Sequence, residues 1–302
     1  MQRLFRMQNS NVSQSESAWT VSKLIAWTKD YFKEKNIESP RLTAELLLCE
    51  VLNCSRVSLY VNFDKPLLHK ELSLFKSYIK RRISYEPVSY ITGKKSFFDL
   101  DFFVNKSVLI PRPDTETLIE TVCNYFENKK NDDLKILDLG TGSGIIAVCL
   151  ADYFSNSQVY AADISFEALK TAEHNKKVNG IDNLSFVLSD WFSGFKSCEY
   201  FDIIVSNPPY IKTADIETLQ PEIKLYEPGK ALDGGDDGLD CLRVIVKEAS
   251  LYMKKDSFLI MEAGFDQKED IIKLVSTSDD LTFEEMVRDF AEKDRVAVVR
   301  KK

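Results

Sequence analysis

Histidine is nearly absent: His69 and His174 are the only two among 302 residues. That leaves a Ser-His-Asp hydrolase or a histidine-built metal centre little to draw on. Cysteine is present but unpatterned. Cys49, Cys54, Cys123, Cys149, Cys198 and Cys241 form no C-x-x-C pair, which speaks against a zinc site and a disulfide framework and predicts reduced thiols. No apolar run approaches the roughly 18 residues that span a bilayer, and MQRLFRMQNSNVSQSESAW at the start has no apolar stretch of secretory length. A cytoplasmic protein without a membrane segment is expected. Low-complexity linkers and internal repeats are also missing.

What is there is ordinary in composition, 44% hydrophobic and 29% charged, but long enough to suggest two domains. The net charge of −7 hides an asymmetry. Residues 1–110 carry 17 Lys and Arg against 11 Asp and Glu, and the remainder 23 against 36. A basic N-terminal part facing an acidic partner is one reading, and solvated faces with no partner another. From Ser17 to about Tyr85 apolar residues fall at helical spacing, with Pro40 placed to start a helix and Asn53 and Ser55 as punctuation, which predicts four or five short helices. Trp19 and Trp27, eight residues apart, read as core. SFFDLDFFV changes to period two, the mark of a hairpin. The expected division is a flexible tail at 1–17, a helical domain at 18–86, a hairpin linker at 87–113 and an α/β domain at 114–302. In the last, strands are expected near 134–139, 157–162, 184–188, 201–206, 256–262, 281–287 and 294–300 with helices between. That is a doubly wound seven-stranded α/β sheet, whose ligands bind outside the carboxyl ends of the strands.

The first of these strands runs into LDLGTGSGIIAV. Gly140, Gly142 and Gly144 permit a tight turn and let a ligand approach the backbone around Thr141 and Ser143, although such a loop alone also suits a dinucleotide or a bare helix start. Asp138, two residues before the first glycine, is expected near the loop mouth. There a carboxylate repels pyrophosphate but attracts an ammonium or sulfonium group, which favours S-adenosylmethionine over a nicotinamide cofactor. Asp163, ending the second strand, is placed to accept both ribose hydroxyls. Asp190 and Trp191 offer an acceptor and an aromatic wall for an adenine, while Trp191 and Phe192 can equally be a helix–sheet packing pair.

The strand FDIIVS ends in Asn207-Pro208-Pro209-Tyr210. Two prolines remove two backbone donors and fix two φ angles, so the corner is stiff and rich in acceptors. If the Asn207 amide oxygen and the Pro208 carbonyl each accept one N–H, a planar NH₂ group is held with its face toward the methyl donor, and Tyr210 packs on it. No strong base is needed, because a methylated, protonated amide loses its proton readily.

ILDLGTGSGIIAV and IVSNPPYI, with LIPRPDTE at 109–116 and the tail RDFAEKDRVAVV, resemble the HemK/PrmC release factor glutamine methyltransferases along nearly the whole chain. The resemblance implies a class I methyltransferase fold after a helical domain, and transfer of a methyl group to the side-chain amide nitrogen (N5) of the glutamine in the GGQ motif of peptide chain release factors. It implies that Gly140 to Gly144, Asp163 and Trp191 contact S-adenosylmethionine, and that Asn207, Pro208, Pro209 and Tyr210 hold the substrate glutamine. A monomer without direct nucleic-acid binding is expected. Asp114 reads as a helix N-cap with Thr117. Arg112 and Glu116 stay open between lining the cofactor pocket and bracing the hairpin, and Glu227 and Asp233 between the substrate entrance and turn-making. The rival activities are methylation of adenine N6 or cytosine N4, for which the acidic C-terminal part is ill suited, and methylation of a ribosomal-protein glutamine. From another class, an idle binding module would show itself by failing to bind S-adenosylmethionine.

Overall fold

The computed structural model describes residues 19–302; the expected tail at 1–17 lies outside the described residues. The chain divides into two compact units, Met1–Thr92 and Gly93–Lys302. Among the described residues no helix is long and apolar enough to cross a membrane.

Among the described residues the first unit holds five helices, Val21–Glu34, Pro40–Leu52, Arg56–Val61, His69–Ile83 and Val88–Thr92. Their limits follow local chemistry. The Ser55 hydroxyl accepts from Ser58 N at 3.2 Å and opens the third helix, whereas Asn53 in the left-handed region (φ 47°) closes the second. Leu24, Phe32, Leu47, Leu48, Leu59 and Phe75 bury completely or nearly so. Trp19 and Trp27 meet edge to face at 6.3 Å beside that core. Glu45, 1% exposed, accepts from Arg41 at 2.9 Å, Arg56 at 2.7 Å and the Tyr60 hydroxyl at 2.6 Å. Burial of a charge is tolerated because each oxygen has donors.

The second unit begins with a hairpin, β1 (Lys94–Phe97) and β2 (Leu100–Phe103), turned at Phe98 with φ 48°. Although expected as a bridge, it lies within this larger unit. Asn175 fixes it there: its Oδ1 accepts from Phe103 N at 2.7 Å, while its Nδ2 donates to Phe103 O at 3.0 Å and to Ser143 O at 2.8 Å. One buried amide thus ties the hairpin to the glycine loop.

The seven-stranded sheet comprises β3 (Lys135–Leu139), β4 (Gln158–Asp163), β5 (Leu184–Leu188), β6 (Phe201–Ser206), β7 (Met253–Glu262), β8 (Leu281–Arg288) and β9 (Asp294–Lys301). Their order is β5-β4-β3-β6-β7-β9-β8, parallel from β5 through β7 and antiparallel at β9 and β8. β7 starts three residues before the expected 256 because Lys254, Lys255 and Asp256 hide the strand from a hydrophobic pattern. The irregular register there, with Phe201 opposite Met253 but Ile203 opposite Phe258, accommodates those residues. After β5 the chain crosses back to place β6 against β3, so the order reverses between these two strands, where open α/β sheets bind ligands. Leu139 pairs with Ser206, and the Ser206 hydroxyl donates to Leu139 O at 2.8 Å. Gly140 and Asn207 are the next residues on the two strands.

The glycines of the loop do different jobs. A Cβ on Gly144 would meet Ala172 Cβ at 2.8 Å and Ala172 Cα at 3.1 Å, at φ 80°; this glycine lets helix Ile145–Tyr153 approach helix Phe166–Val178. A Cβ on Gly142 would meet nothing within 4 Å. Gly144→Ala is therefore expected to destabilise the second unit by about 2–4 kcal/mol, combining left-handed strain with overpacking. Gly142→Ala should lose only about 1–2 kcal/mol to strain. Equal losses in chemical denaturation would remove the packing explanation.

Candidate cofactor and acceptor site

A cavity of about 580 Å³ opens where β3 and β6 end, within the range that holds a small-molecule ligand. Gly140 to Ser143 form one wall, Asp163 to Ser165 a second, and Ser189 to Trp191 a third, while Asn207 and Pro209 come from the proline corner. Four turns distant in sequence meet because their strands are neighbours.

Asp163 occupies the tip of β4. Its Oδ2 accepts from Gly142 N and its Oδ1 from Ser165 N, both at 2.8 Å. Burial raises its carboxyl above the usual range and the two N–H donors oppose that. A carboxylate has about four acceptor sites, so the side chain that fastens the glycine loop retains capacity for hydroxyls. Trp191, at φ 46°, brings its ring to 3.7 Å from where a Gly140 Cβ would stand and lines the cavity. Phe192 goes the other way: fully buried, it stacks on Tyr252 at 4.5 Å.

Asp138 is not at the loop mouth. It is fully buried and does not line the cavity. Thr141, which does, donates its hydroxyl to Asp138 Oδ2 at 2.6 Å, while Oδ1 has no partner in hydrogen-bonding geometry among the described residues. Burial pushes this carboxyl up to about 7, against the pull of Thr141 and of the Ala147 N–H. The acid therefore acts on the cavity from beneath, through Thr141 and its field. Gly144, Pro208 and Tyr210 are likewise outside the lining: Gly144 is a packing glycine, Pro208 is buried, and Tyr210 turns its hydroxyl back to Glu262 Oε1 at 3.0 Å.

The corner is braced from several sides. Asn207 Nδ2 donates to Thr115 Oγ1 at 3.1 Å, leaving its Oδ1 as the group able to accept. Gly234 and Gly238 press against the corner: their Cβ atoms would fall 2.9 Å from Pro209 O and 2.5 Å from Tyr210 O. Gln267 Nε2 donates to Tyr210 O at 3.2 Å and Gly238 O at 3.0 Å. The glycine-rich segment after Glu227 is thus a support for the corner. Asp233 lines the cavity, yet its Oδ1 accepts from Thr213 Oγ1 at 2.7 Å and Gly235 N at 3.0 Å, donors that lower its carboxyl.

Arg112 both lines the cavity and pairs with Glu227, Nη2 to Oε1 at 2.6 Å. Glu227 is 6% exposed; burial raises its carboxyl and the Arg112 charge opposes that. Glu116 sits in the first turn of helix Thr115–Tyr125. Asp114 precedes that helix but makes no capping bond from its side chain. Its helical φ of −59° and ψ of −29° depart from the extended N-cap geometry, and its carboxylate instead meets Arg295 Nη2 at 3.2 Å. Ser107 and Val108 also line the cavity and had no signal in the sequence beyond adjacency to LIPRPDTE, whose first residue, Leu109, lines it too, as do Pro228 to Ala231 beside Glu227.

Two family models match the chain, PrmC N-terminal domain over residues 23–93 and Methyltransferase domain over 130–294. A release factor glutamine methyltransferase of Geobacter sulfurreducens is 42% identical over 265 residues, covering 88% of this chain and 91% of its own. One of Francisella tularensis subsp. tularensis is 39% identical over 276 residues, covering 91% and 95%. Among solved structures, a methyltransferase of Pyrococcus furiosus shares the fold at 18% identity and a TM-score of 0.50, covering 75% of this chain and 98% of that one.

Proposed function

This chain belongs to the release factor glutamine methyltransferase family, and we propose that its proline corner receives the side-chain amide of the GGQ glutamine beside a cavity that holds S-adenosylmethionine. The enzyme is an S-adenosylmethionine-dependent methyltransferase that acts on a release factor glutamine. Its residues fit the donor. Gly142 leaves open space for a close approach, Asp163 keeps lone pairs for ribose hydroxyls, and Asp190 with Trp191 suits an adenine. When bound, S-adenosylmethionine supplies an electrophilic methyl on sulfonium sulfur and leaves as S-adenosylhomocysteine.

The chain's own part is to overcome the poor nucleophilicity of an amide nitrogen, whose lone pair is delocalised into the carbonyl. Asn207 Oδ1 and the Pro208 carbonyl each accept one N–H of the glutamine, which fixes the plane of the NH₂ group, and the Tyr210 side chain closes the corner beside it. The N5-methylated amide then gives its extra proton to water. One observation carries this reading: Asn207 places its NH₂ on Thr115, Nδ2 to Oγ1 at 3.1 Å, which leaves Oδ1, the only acceptor of this side chain, for a substrate N–H. A nucleic-acid base also offers a planar amine, but residues 111–302 carry 23 basic against 36 acidic side chains, unfavourable for tracking phosphates.

The helical domain, residues 18–86, docks a part of the release factor remote from the GGQ loop, since one flexible loop offers little specificity. The hairpin and the rest of the second unit, the methyltransferase domain, complete a monomer that works in the cytoplasm beside the translation machinery. The purified protein is incubated with labelled S-adenosylmethionine and a release factor, the same factor with its GGQ glutamine replaced by alanine, or unmethylated DNA. Label is expected on the intact factor alone. Label on DNA, or equally on both factors, overturns the substrate assignment.

A further inference from the structure

We propose that Arg112, held in place by Glu227, receives the carboxylate of the methyl donor and makes the cavity specific for a sulfonium that carries an amino acid. This rests on the reading of the cavity as the S-adenosylmethionine site.

Sheet order sets which end of the donor lies where. Along β5, β4, β3 and β6 the cavity presents Ser189 to Trp191, then Asp163, then the glycine loop, then Asn207. With adenine at Asp190 and Trp191 and ribose at Asp163, the sulfonium comes between the loop and Asn207, and the amino-acid end falls on the side away from the adenine. Arg112 stands at that end. Its carbonyl accepts from Thr115 N at 3.1 Å, and Thr115 Oγ1 accepts from Asn207 Nδ2 at 3.1 Å. Arg112, Thr115 and Asn207 all line the cavity.

The amino-acid end of the donor carries a carboxylate, and the acids in the cavity wall, Asp163, Asp190 and Asp233, repel it. A cation must answer it. Among the described residues that line the cavity, the cations are Arg112 and Lys230, and they differ in how far they are fixed. Lys230 is exposed on the short turn Gly229–Ala231. Arg112 keeps a third of its side chain exposed, and its Nη2 donates to Glu227 Oε1 at 2.6 Å. The Glu227 side chain is 1% exposed and is itself anchored by Ile110 N, which donates to Oε2 at 3.3 Å. A guanidinium has five N–H donors in a rigid fork, so the bond to Glu227 sets its orientation and leaves donors for a second carboxylate.

The test compares calorimetric Kd values for S-adenosylmethionine and for its analogue lacking the α-carboxylate. The proteins are the parent, Glu227→Gln, Lys230→Gln and the double variant Arg112→Gln/Glu227→Gln, all below their unfolding transitions. The double variant is used because Arg112→Gln alone leaves a buried carboxylate unpaired. The parent is expected to bind the analogue about 30-fold more weakly than S-adenosylmethionine, the loss of one charge-assisted contact. Glu227→Gln and Lys230→Gln, which keep the Arg112 charge, should each hold that ratio above about fivefold. The double variant should bring it to about twofold. A residue that only braced the cavity wall would weaken both ligands alike and leave the ratio unchanged. A parent ratio below about fivefold overturns the proposal, as does a double-variant ratio above about fivefold or a ratio below it in either single variant. A parent that binds neither ligand overturns the donor site first, and this proposal with it.

Discussion

Asn207→Ala is expected to lower the rate of methyl transfer to the release factor about 1,000-fold at saturating substrate and cofactor, while S-adenosylmethionine Kd stays within about threefold. The size follows from what the residue is asked to do. Orienting two reacting groups is worth roughly 7–11 kcal/mol in the best intramolecular systems, and removing one preorganised polar group at a reacting centre costs about 10²–10³ in rate. Alanine removes the acceptor for one amide N–H and also leaves Thr115, which Asn207 meets at 3.1 Å, free to turn. The corner itself should survive, since Pro208 and Pro209 keep their fixed φ angles and Gln267 still holds Tyr210 O at 3.2 Å. Single-turnover rates with a pre-bound donor separate this from weak binding. A loss under tenfold would show that the amide does not orient the substrate, and a parallel collapse of cofactor affinity would make Asn207 a residue of the donor pocket alone.

The local motifs were legible because each was a strand followed by an unusual turn. Gly140 to Gly144, Asp163, Asp190 to Trp191 and Asn207 to Tyr210 all fall at the carboxyl ends of strands, and sheet order brings these turns to one cavity, although Gly144, Pro208 and Tyr210 stay outside its lining. What escaped were pairs whose partners lie far apart in sequence. Asp114 looked like a helix cap until Arg295 was seen 3.2 Å away, and Arg112 had no assignable role until Glu227 stood beside it at 2.6 Å. Tyr210 reads from sequence as an open aromatic face, but Glu262 and Arg295, from strands β7 and β9, turn its hydroxyl inward. Glu45 shows the same limit in the first unit, since nothing in PRLTAELLL announces a buried acid with two arginines. The period of a helix tells which face is apolar; it does not tell which polar residue on that face is answered by a charge elsewhere.

Asp138 should make donor affinity depend on pH near neutrality. With its carboxyl pushed up to about 7 by burial, the free protein is half protonated there. A donor carrying an ammonium and a sulfonium favours the ionised form, so binding is coupled to loss of that proton. As pH falls from 8 to 5.5, S-adenosylmethionine Kd is expected to rise by up to about 30-fold, tenfold for each pH unit below the free-state value. Asp138→Asn should flatten the profile and bind, at pH 8, about 30-fold more weakly than the parent. Stability runs the opposite way. A folded carboxyl at about 7 and an unfolded one near 3.9 mean that the folded state holds the proton more tightly between those values. Its contribution is greatest below about pH 4, is lost as pH rises, and levels off above about 7, a change of roughly 4 kcal/mol. The donor-free Asp138→Asn protein escapes that loss but leaves an amide NH₂ where Oδ1 now has no partner among the described residues, at about 1–3 kcal/mol. It should therefore unfold a few degrees higher than the parent at pH 8.5 and no higher at pH 5. Calorimetric Kd values and melting curves at the two pH values check both halves. If Kd stays constant from 8 to 5.5, Asp138 is a structural acid with no part in donor binding, and the electrostatic choice of S-adenosylmethionine over a pyrophosphate cofactor must come from elsewhere in the loop.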